Sequence, residues 1–333
     1  MLPRELNASP RRSQIRGGER GAALAAFVIT IAAGSSALAQ EPLATSVEIP
    51  RTETSVTPPP EPIRPEKQSF VWKEKWGRAH PLEYASAVTF GAGVLAAGAI
   101  PVTERGWGGN SFDNAMRDGL RLGDSGSRST ARDVSDGLFY GLMAYPIVVD
   151  TLLVAGPRNG DVAWQMFVIN MHSLAISGFT SVTLERTTGR TRPYVRQCKE
   201  DPTDAEDCDS ESDERFQSFI SGHTLMAFTG AGLVCAHHSQ LPLYGGGIPD
   251  IMACGVAVTG AAVQGVLRVS SDRHYFTDVA VGGTLGFASG YALPMLLHYG
   301  RGGDDAASSP LAMNFVGPYT NGPEVGLQAA GTF

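Results

Sequence analysis

Six runs of mostly apolar residues punctuate the chain after residue 80. They span about 84–102, 137–155, 162–184, 216–236, 251–267 and 279–298. Each has helix length, and strand-like alternation of apolar and polar positions is scarce before the C-terminus, so the pattern predicts an all-α domain of about six core helices. Several runs carry no charge over about 17 positions, near the lower length for crossing a bilayer. They are rich in Gly, Ala, Ser and Thr, which lets helix backbones approach closely in a membrane or in a compact core. Both settings fit the pattern, and the topology stays open: an arginine-rich loop (Arg105, Arg117, Arg121, Arg128, Arg132) favours a cytoplasmic side, whereas a later loop holds two cysteines.

Before these runs the pattern is different. A basic stretch (Arg4, Arg11, Arg12, Arg16, Arg20) precedes an apolar segment from Gly21 to Ala33, and Ala37-Leu38-Ala39 offers a small-x-small cleavage site. Residues 1–39 therefore read as a secretory signal peptide. Residues 40–79 form a proline-rich linker, with Pro58-Pro59-Pro60 at its centre, which favours extended chain. The domain occupies 80–300. In the tail, 301–333, turn residues around Asn321-Gly322-Pro323 are compatible with a short hairpin. Export of the chain places it in the cell envelope, periplasmic or at the inner membrane with its site facing the periplasm.

Composition narrows the function. Of 333 residues 43% are hydrophobic and 18% charged, and the net charge is −7, which argues against general nucleic-acid binding. Cys198 and Cys208 flank an acidic loop and are a candidate disulfide in an exported protein. Cys235 and Cys254 lie inside apolar runs, where a small buried hydrophobe is the expected role. The histidines His80, His172, His237, His238 and His298 lack neighbours at metal-ligand spacing and read as structural.

Three polar stretches carry candidate chemistry. His274 and Asp278 lie four apart, on one helix face, so the carboxylate can orient the imidazole; Arg268 precedes them across a polar turn. Ser221-Gly222-His223 opens an apolar helix, where Ser caps, Gly admits a ligand to the backbone, and free N–H groups bind anions. Arg190, Arg192 and Pro193 follow the third apolar run. Each stretch alone is weak. Together they supply two histidines, arginine forks and a helix N-terminus, the parts needed to hold and attack a tetrahedral oxyanion.

In this order the stretches resemble the type 2 phosphatidic acid phosphatase (PAP2) superfamily, which includes class A acid phosphatases and vanadium haloperoxidases. The family pattern is Lys, six residues, Arg-Pro; Pro-Ser-Gly-His; and Ser-Arg, five residues, His, three residues, Asp. Here the blocks read Glu185 to Pro193, Ile220 to His223, and Leu267 to Asp278. The resemblance implies a helical bundle with the site at one end. It implies His274 as nucleophile, His223 as acid and base, and Arg192, Arg268, Ser221 and Gly222 around the phosphate, with no metal or cofactor. The expected substrate is a phosphomonoester or diphosphate, a lipid phosphate such as phosphatidic acid or a polyprenyl diphosphate, met at a membrane.

Two rival readings share the motif. A haloperoxidase would bind vanadate as its cofactor; the missing lysine and modest length count against it. A non-catalytic envelope protein would keep only the fold; intact His223, His274 and Asp278 count against it. Of the departures from the pattern, Glu185 in place of lysine is the serious one, and Arg186 and Arg190 are candidate compensating cations. Glu185→Lys is expected to leave turnover intact while altering phosphate affinity, as steady-state kinetics on a phosphomonoester would check; a large gain from a near-inactive enzyme would overturn this.

Overall fold

The computed structural model describes residues 70–201, 208 and 213–302, and the backbone of 312–321 and 324–332. The segment read as a signal peptide, the linker up to residue 69 and most of the acidic run after Glu200 lie outside the described residues. The described domain is helical: α1 (Pro81–Gly98), α2 (Ser111–Leu120), α3 (Ser125–Tyr145), α4 (Gly160–Thr188), α5 (Pro193–Glu200), α6 (Gly222–Gln240), α7 (Ile248–Ser270), α8 (Phe276–Phe287) and α9 (Leu293–Leu297). The tail forms an antiparallel hairpin of β1 (Ala312–Asn321) and β2 (Glu324–Thr332).

Local chemistry sets the helix ends. The side chains of Asn110, Asp124 and Asn159 cap α2, α3 and α4 by accepting first-turn N–H groups. Gly189, in the left-handed region at φ 67°, stops α4. Pro146 interrupts α3, which continues in wider π-type turns over Pro146–Ala155. The Pro146 carbonyl accepts from Thr151 Oγ1 at 2.7 Å and from Asn170 Nδ2 at 3.1 Å. Helices α2 and α5 are short and amphipathic, with charges throughout, so apolar runs did not reveal them.

Helix α6 is the axis of the bundle. Leu225, Ala227, Ala231, Leu233, Val234 and Ala236 are all buried, and α3, α4, α7 and α8 surround it. The approach of α8 is the closest feature of this packing. Gly282, Gly286 and Gly290, spaced four apart, lie against the backbone of α6 at Ser221, Leu225 and Thr229, leaving no room for a Cβ. A disulfide, Cys235–Cys254, joins α6 to α7, so these two cysteines are not the plain buried hydrophobes expected from their apolar setting. Helix packing brings their Cα atoms to 4.5 Å, within bonding range. Cys198–Cys208 is also bonded, as expected from its loop.

Phe70, Trp72 and Trp76 are buried with Tyr299 in the core beneath α4 and α6. The last residues assigned to the linker therefore belong to the domain, because these aromatic side chains find apolar surface there. Helices α1 and α4 run side by side in the same direction. Arg78 pairs with Asp161 at the start of α4, and Arg186 near its end donates to the Ile100 carbonyl just beyond α1. The five histidines outside the motifs all hold structural partners: His80 caps α1, His172 meets Ser86, His237 meets Asn170 and Tyr299, His238 meets Asp250, and His298 meets Glu83.

Among the described residues four helical stretches, 125–155, 160–188, 248–270 and 276–297, are long and apolar enough to cross a membrane. The outward faces of α1, α3 and α7 carry large apolar side chains, among them Leu82, Leu95, Leu152, Ile251 and Val256. Such broad apolar exposure marks a surface made for a nonaqueous neighbour, and it associates the domain with a membrane. Gly286→Leu drives a side chain into the Leu225 carbonyl, and overfilling a packed interface costs about 1–3 kcal/mol or more. Its thermal unfolding midpoint in detergent should fall by several degrees or folding should fail, while Gly137→Ala on an open face of α3 should hold or slightly raise the midpoint.

Candidate active site

The three motif stretches meet at one end of the bundle, where α4 and α7 end and α6 and α8 begin. Helix α7 ends in a turn over Ser271, Asp272 and Arg273 that folds the chain back on itself. The N–H groups of Arg273 and His274 both donate to the Arg268 carbonyl, at 3.1 and 3.2 Å. Asp272 takes up φ 61° in this turn, an unusual conformation for a residue with a side chain. Its carboxylate receives Arg117 Nε at 2.6 Å and Nη2 at 2.7 Å, and Arg121 Nε at 3.0 Å. Helix α2 thus grips the turn that sets Arg268 and His274 beside each other.

His274 is buried, 2% exposed. Its Nδ1–H donates to the Ser218 carbonyl at 2.8 Å, which leaves Nε2 as the lone-pair nitrogen. Asp278 does not orient it directly, contrary to the four-residue spacing. The carboxylate lies 3.9 Å from Nδ1, outside hydrogen-bond reach. Asp278 instead accepts from Ser218 Oγ at 2.6 Å, from the Tyr275 N–H at 2.9 Å and from Arg190. It therefore acts one residue back, fixing the Ser218 segment whose carbonyl holds the ring.

Arg190 is committed to this framework. It lies between Asp278 and Asp113, with its guanidinium over the rings of Trp107 and Tyr275 at 4.7 and 4.6 Å. Asp113 further accepts from the Thr277 N–H at 3.0 Å and from its hydroxyl at 3.0 Å. Neither candidate compensating cation serves the phosphate position: Arg190 is held by two carboxylates, and Arg186 points to the Ile100 carbonyl. Burying Arg190 requires counter-charges, and the two aspartates supply them.

On the other side of the site, α6 begins at Gly222 with Ser221 in the N-cap position. The Ser221 hydroxyl meets Thr224 Oγ1 at 2.9 Å rather than capping the backbone. His223 faces Asp136 of α3, with Nε2 at 3.3 Å from Oδ1, and its ring stacks near Phe139 at 4.6 Å. Arg268 Nη1 donates to the same Asp136 oxygen at 2.8 Å and to Ser135 Oγ at 3.2 Å. The Nε groups of Arg192 and Arg268, like those of Arg190 and Arg215, are buried donors with no acceptor among the described residues. Glu185 sits in the same place: its Oε1 accepts from Ser181 Oγ at 3.0 Å, and the Gly222 N–H donates to its carboxylate.

Electrostatics separates the two histidines. Burial, then the charges of Arg192 and Arg268, push the His274 imidazole well below its ordinary range, so it stays unprotonated at neutral pH. Burial also lowers His223, but the Asp136 hydrogen bond pulls in the opposite direction and favours its protonated form. Both rings lie below the ordinary histidine range, His274 the further of the two. Among the described residues no group of three His, Cys, Asp or Glu side chains is placed to hold a metal ion. Asp113, Asp136, Arg117, Ser218 and Asp272 were missed from sequence. All but Asp272, which sits unremarked inside the third block, lie outside the motifs, and tertiary folding brings them to the site.

The described residues form a helical bundle with two histidines and two arginines gathered at one end. Residues 167–301 match the family model of the PAP2 superfamily. Over 152 residues the chain is 26% identical to a protein of Schizosaccharomyces pombe (strain 972 / ATCC 24843) named Probable diacylglycerol pyrophosphate phosphatase 1. The match covers 41% of this chain and 54% of that relative, so the chain spans about half the length of the curated relative it matches. No solved structure matches the chain.

Removing the Asp136 charge takes away the interaction that favours the His223 imidazolium. Asp136→Asn should therefore shift the His223 titration, followed by imidazole NMR, to lower pH, and leave His274 unprotonated across the neutral range.

Proposed function

We propose that the protein is a phosphatase that hydrolyses a phosphomonoester or diphosphate, with a lipid phosphate as substrate, through a phosphohistidine formed on His274. The observation that carries this reading is the state of His274. Its Nδ1–H is tied to the Ser218 carbonyl, and its free Nε2 shares a site with two arginine forks and a second histidine. A neutral imidazole so fixed is an activated nucleophile.

In the first step Nε2 of His274 attacks phosphorus, the bond from phosphorus to the leaving oxygen breaks, and protonated His223 gives its proton to that oxygen. In the second, water attacks the phosphohistidine and yields a proton to His223, the P–N bond breaks, and inorganic phosphate leaves. Arg192, Arg268 and the N–H groups at the start of α6 stabilise the equatorial oxygens as charge builds. Asp136 positions His223 and sustains its proton. The chemistry uses this chain's side chains and water, with no metal or cofactor.

Membrane association of the domain and the name of the relative support a lipid substrate. The Cys198–Cys208 bridge beside α5 supports an oxidising, extracytoplasmic setting for the site, and with it export to the cell envelope.

The purified protein should release phosphate from p-nitrophenyl phosphate and from phosphatidic acid in the presence of chelator. His274→Ala should lower that release by at least about 10³-fold, since the covalent route is lost. Activity that needs added metal, or that survives in His274→Ala, would overturn the mechanism.

A further inference from the structure

The most anomalous group in the site is a carboxylate among the donors meant for phosphate. Burial raises the Glu185 carboxyl above the usual carboxylate range, while Arg192, Ser181, the Gly222 N–H at the start of α6 and Arg268 pull it back. The fit is close: a Cβ at Gly222 would collide with Glu185 Oε1 and Ser181 Oγ. The other carboxylates at this end have separate duties. Asp113 and Asp278 hold Arg190, Asp272 holds Arg117 and Arg121, and Asp136 bridges His223 and Arg268. Glu185 alone among these has no buried cation of its own in direct contact. Its partners are a serine hydroxyl and a helix N-terminus.

A helix N-terminus with two guanidinium groups nearby favours negative charge, and it serves a carboxylate as well as a phosphate. Two anions cannot share these donors without repulsion that a partly dry site screens poorly. Moving the Glu185 side chain aside would break its Ser181 and Gly222 hydrogen bonds. Adding a proton to it removes the repulsion in place and turns an acceptor into a donor toward a phosphoryl oxygen.

We propose that Glu185 is a specificity-determining residue, an internal anion that admits a phosphoryl group to the α6 N-terminus only by taking up a proton from solvent. The proton converts the carboxylate to a carboxyl, whose O–H then donates to the bound phosphate; no covalent bond changes. The site therefore selects for low substrate charge, and binding is coupled to acid. The groups facing Glu185 are Ser181 on its own helix, Gly222 of α6, Arg192 before α5 and Arg268 of α7. His223, His274 and Asp136 also titrate in the site, and Glu185→Gln leaves all three in place.

The inference rests on the phosphatase reading for its consequence in turnover, but its test does not. Inorganic phosphate is titrated into the full protein and into Glu185→Gln by calorimetry, in buffers of differing ionisation heat. The wild type should take up about one proton more than Glu185→Gln on binding, because the variant cannot gain a proton at this position. Its phosphate affinity should weaken with rising pH, by up to about tenfold per unit, more steeply than that of the variant. Glu185→Lys should bind phosphate more tightly than wild type at neutral pH. Equal proton uptake in wild type and Glu185→Gln would overturn the inference, as would a Glu185→Gln protein that melts like wild type yet binds no phosphate. Proton-coupled binding without hydrolysis of any ester would leave the inference standing and remove the phosphatase reading. Hydrolysis with equal proton uptake would do the reverse.

Discussion

The site depends on two helices meeting with nothing but backbone between them. Helix α6 brings Ser221, Gly222 and His223 at its start; α8 begins just after His274 and carries Asp278 in its first turn. Gly282 and Gly286 of α8, with Gly290 in the π-type turn that continues it, let these helices lie against each other over about two turns. Their N-termini are thereby held side by side, and the Ser221 N–H donates to the Asp278 carbonyl at 3.2 Å across the junction. That single contact sets the start of α6, with His223, beside the His274 segment that precedes α8. Wider side chains at these positions would push the two halves of the site apart, and misplacement of about 1 Å can cost a hundredfold in rate.

Charge is handled in layers around this contact. Arg190 and its two aspartates form a buried lattice that touches no substrate position yet fixes Ser218, and through it the His274 ring. Asp272 does the same for the turn between Arg268 and His274. Outside this frame the two arginines of the motif keep donors unspent, and Asp136 and Glu185 stand close to them. A site lined only by cations would bind any phosphate indiscriminately. One with carboxylates at its edge can make binding conditional.

Much of this was legible in sequence. The six apolar runs correspond to α1, α3, α4, α6, α7 and α8 with its continuation, because each helix is apolar enough to show against its flanks. The motif residues converge because their spacings are local. His274 follows Arg268 across one turn, and Gly222 opens a helix. What escaped was long-range. Nothing in the spacing of Asp113, Asp136 or Asp272 reveals that α2 and α3 fold over the ends of α7 and α8. The same limit misassigned Arg190, whose position beside Arg192 pointed to phosphate while its true partners lie 77 and 88 residues away in the chain. The four-residue spacing of His274 and Asp278 was read correctly as proximity and incorrectly as contact. Cys235 and Cys254 look like filler until α6 and α7 are paired.

The direction of α1 carries a further consequence, for sidedness. Arg78 and Pro81 lie at the start of α4, whereas Glu185 and the histidines lie at its far end, about 36 Å along the helix axis. One passage of the chain thus separates residue 80 from the paired histidines. Were the bundle laid across a bilayer, whichever compartment received the chain before α1 would be the one the site does not face. A site on the outer face would then demand an inward start, and an outward start would keep the whole bundle on one side of the membrane.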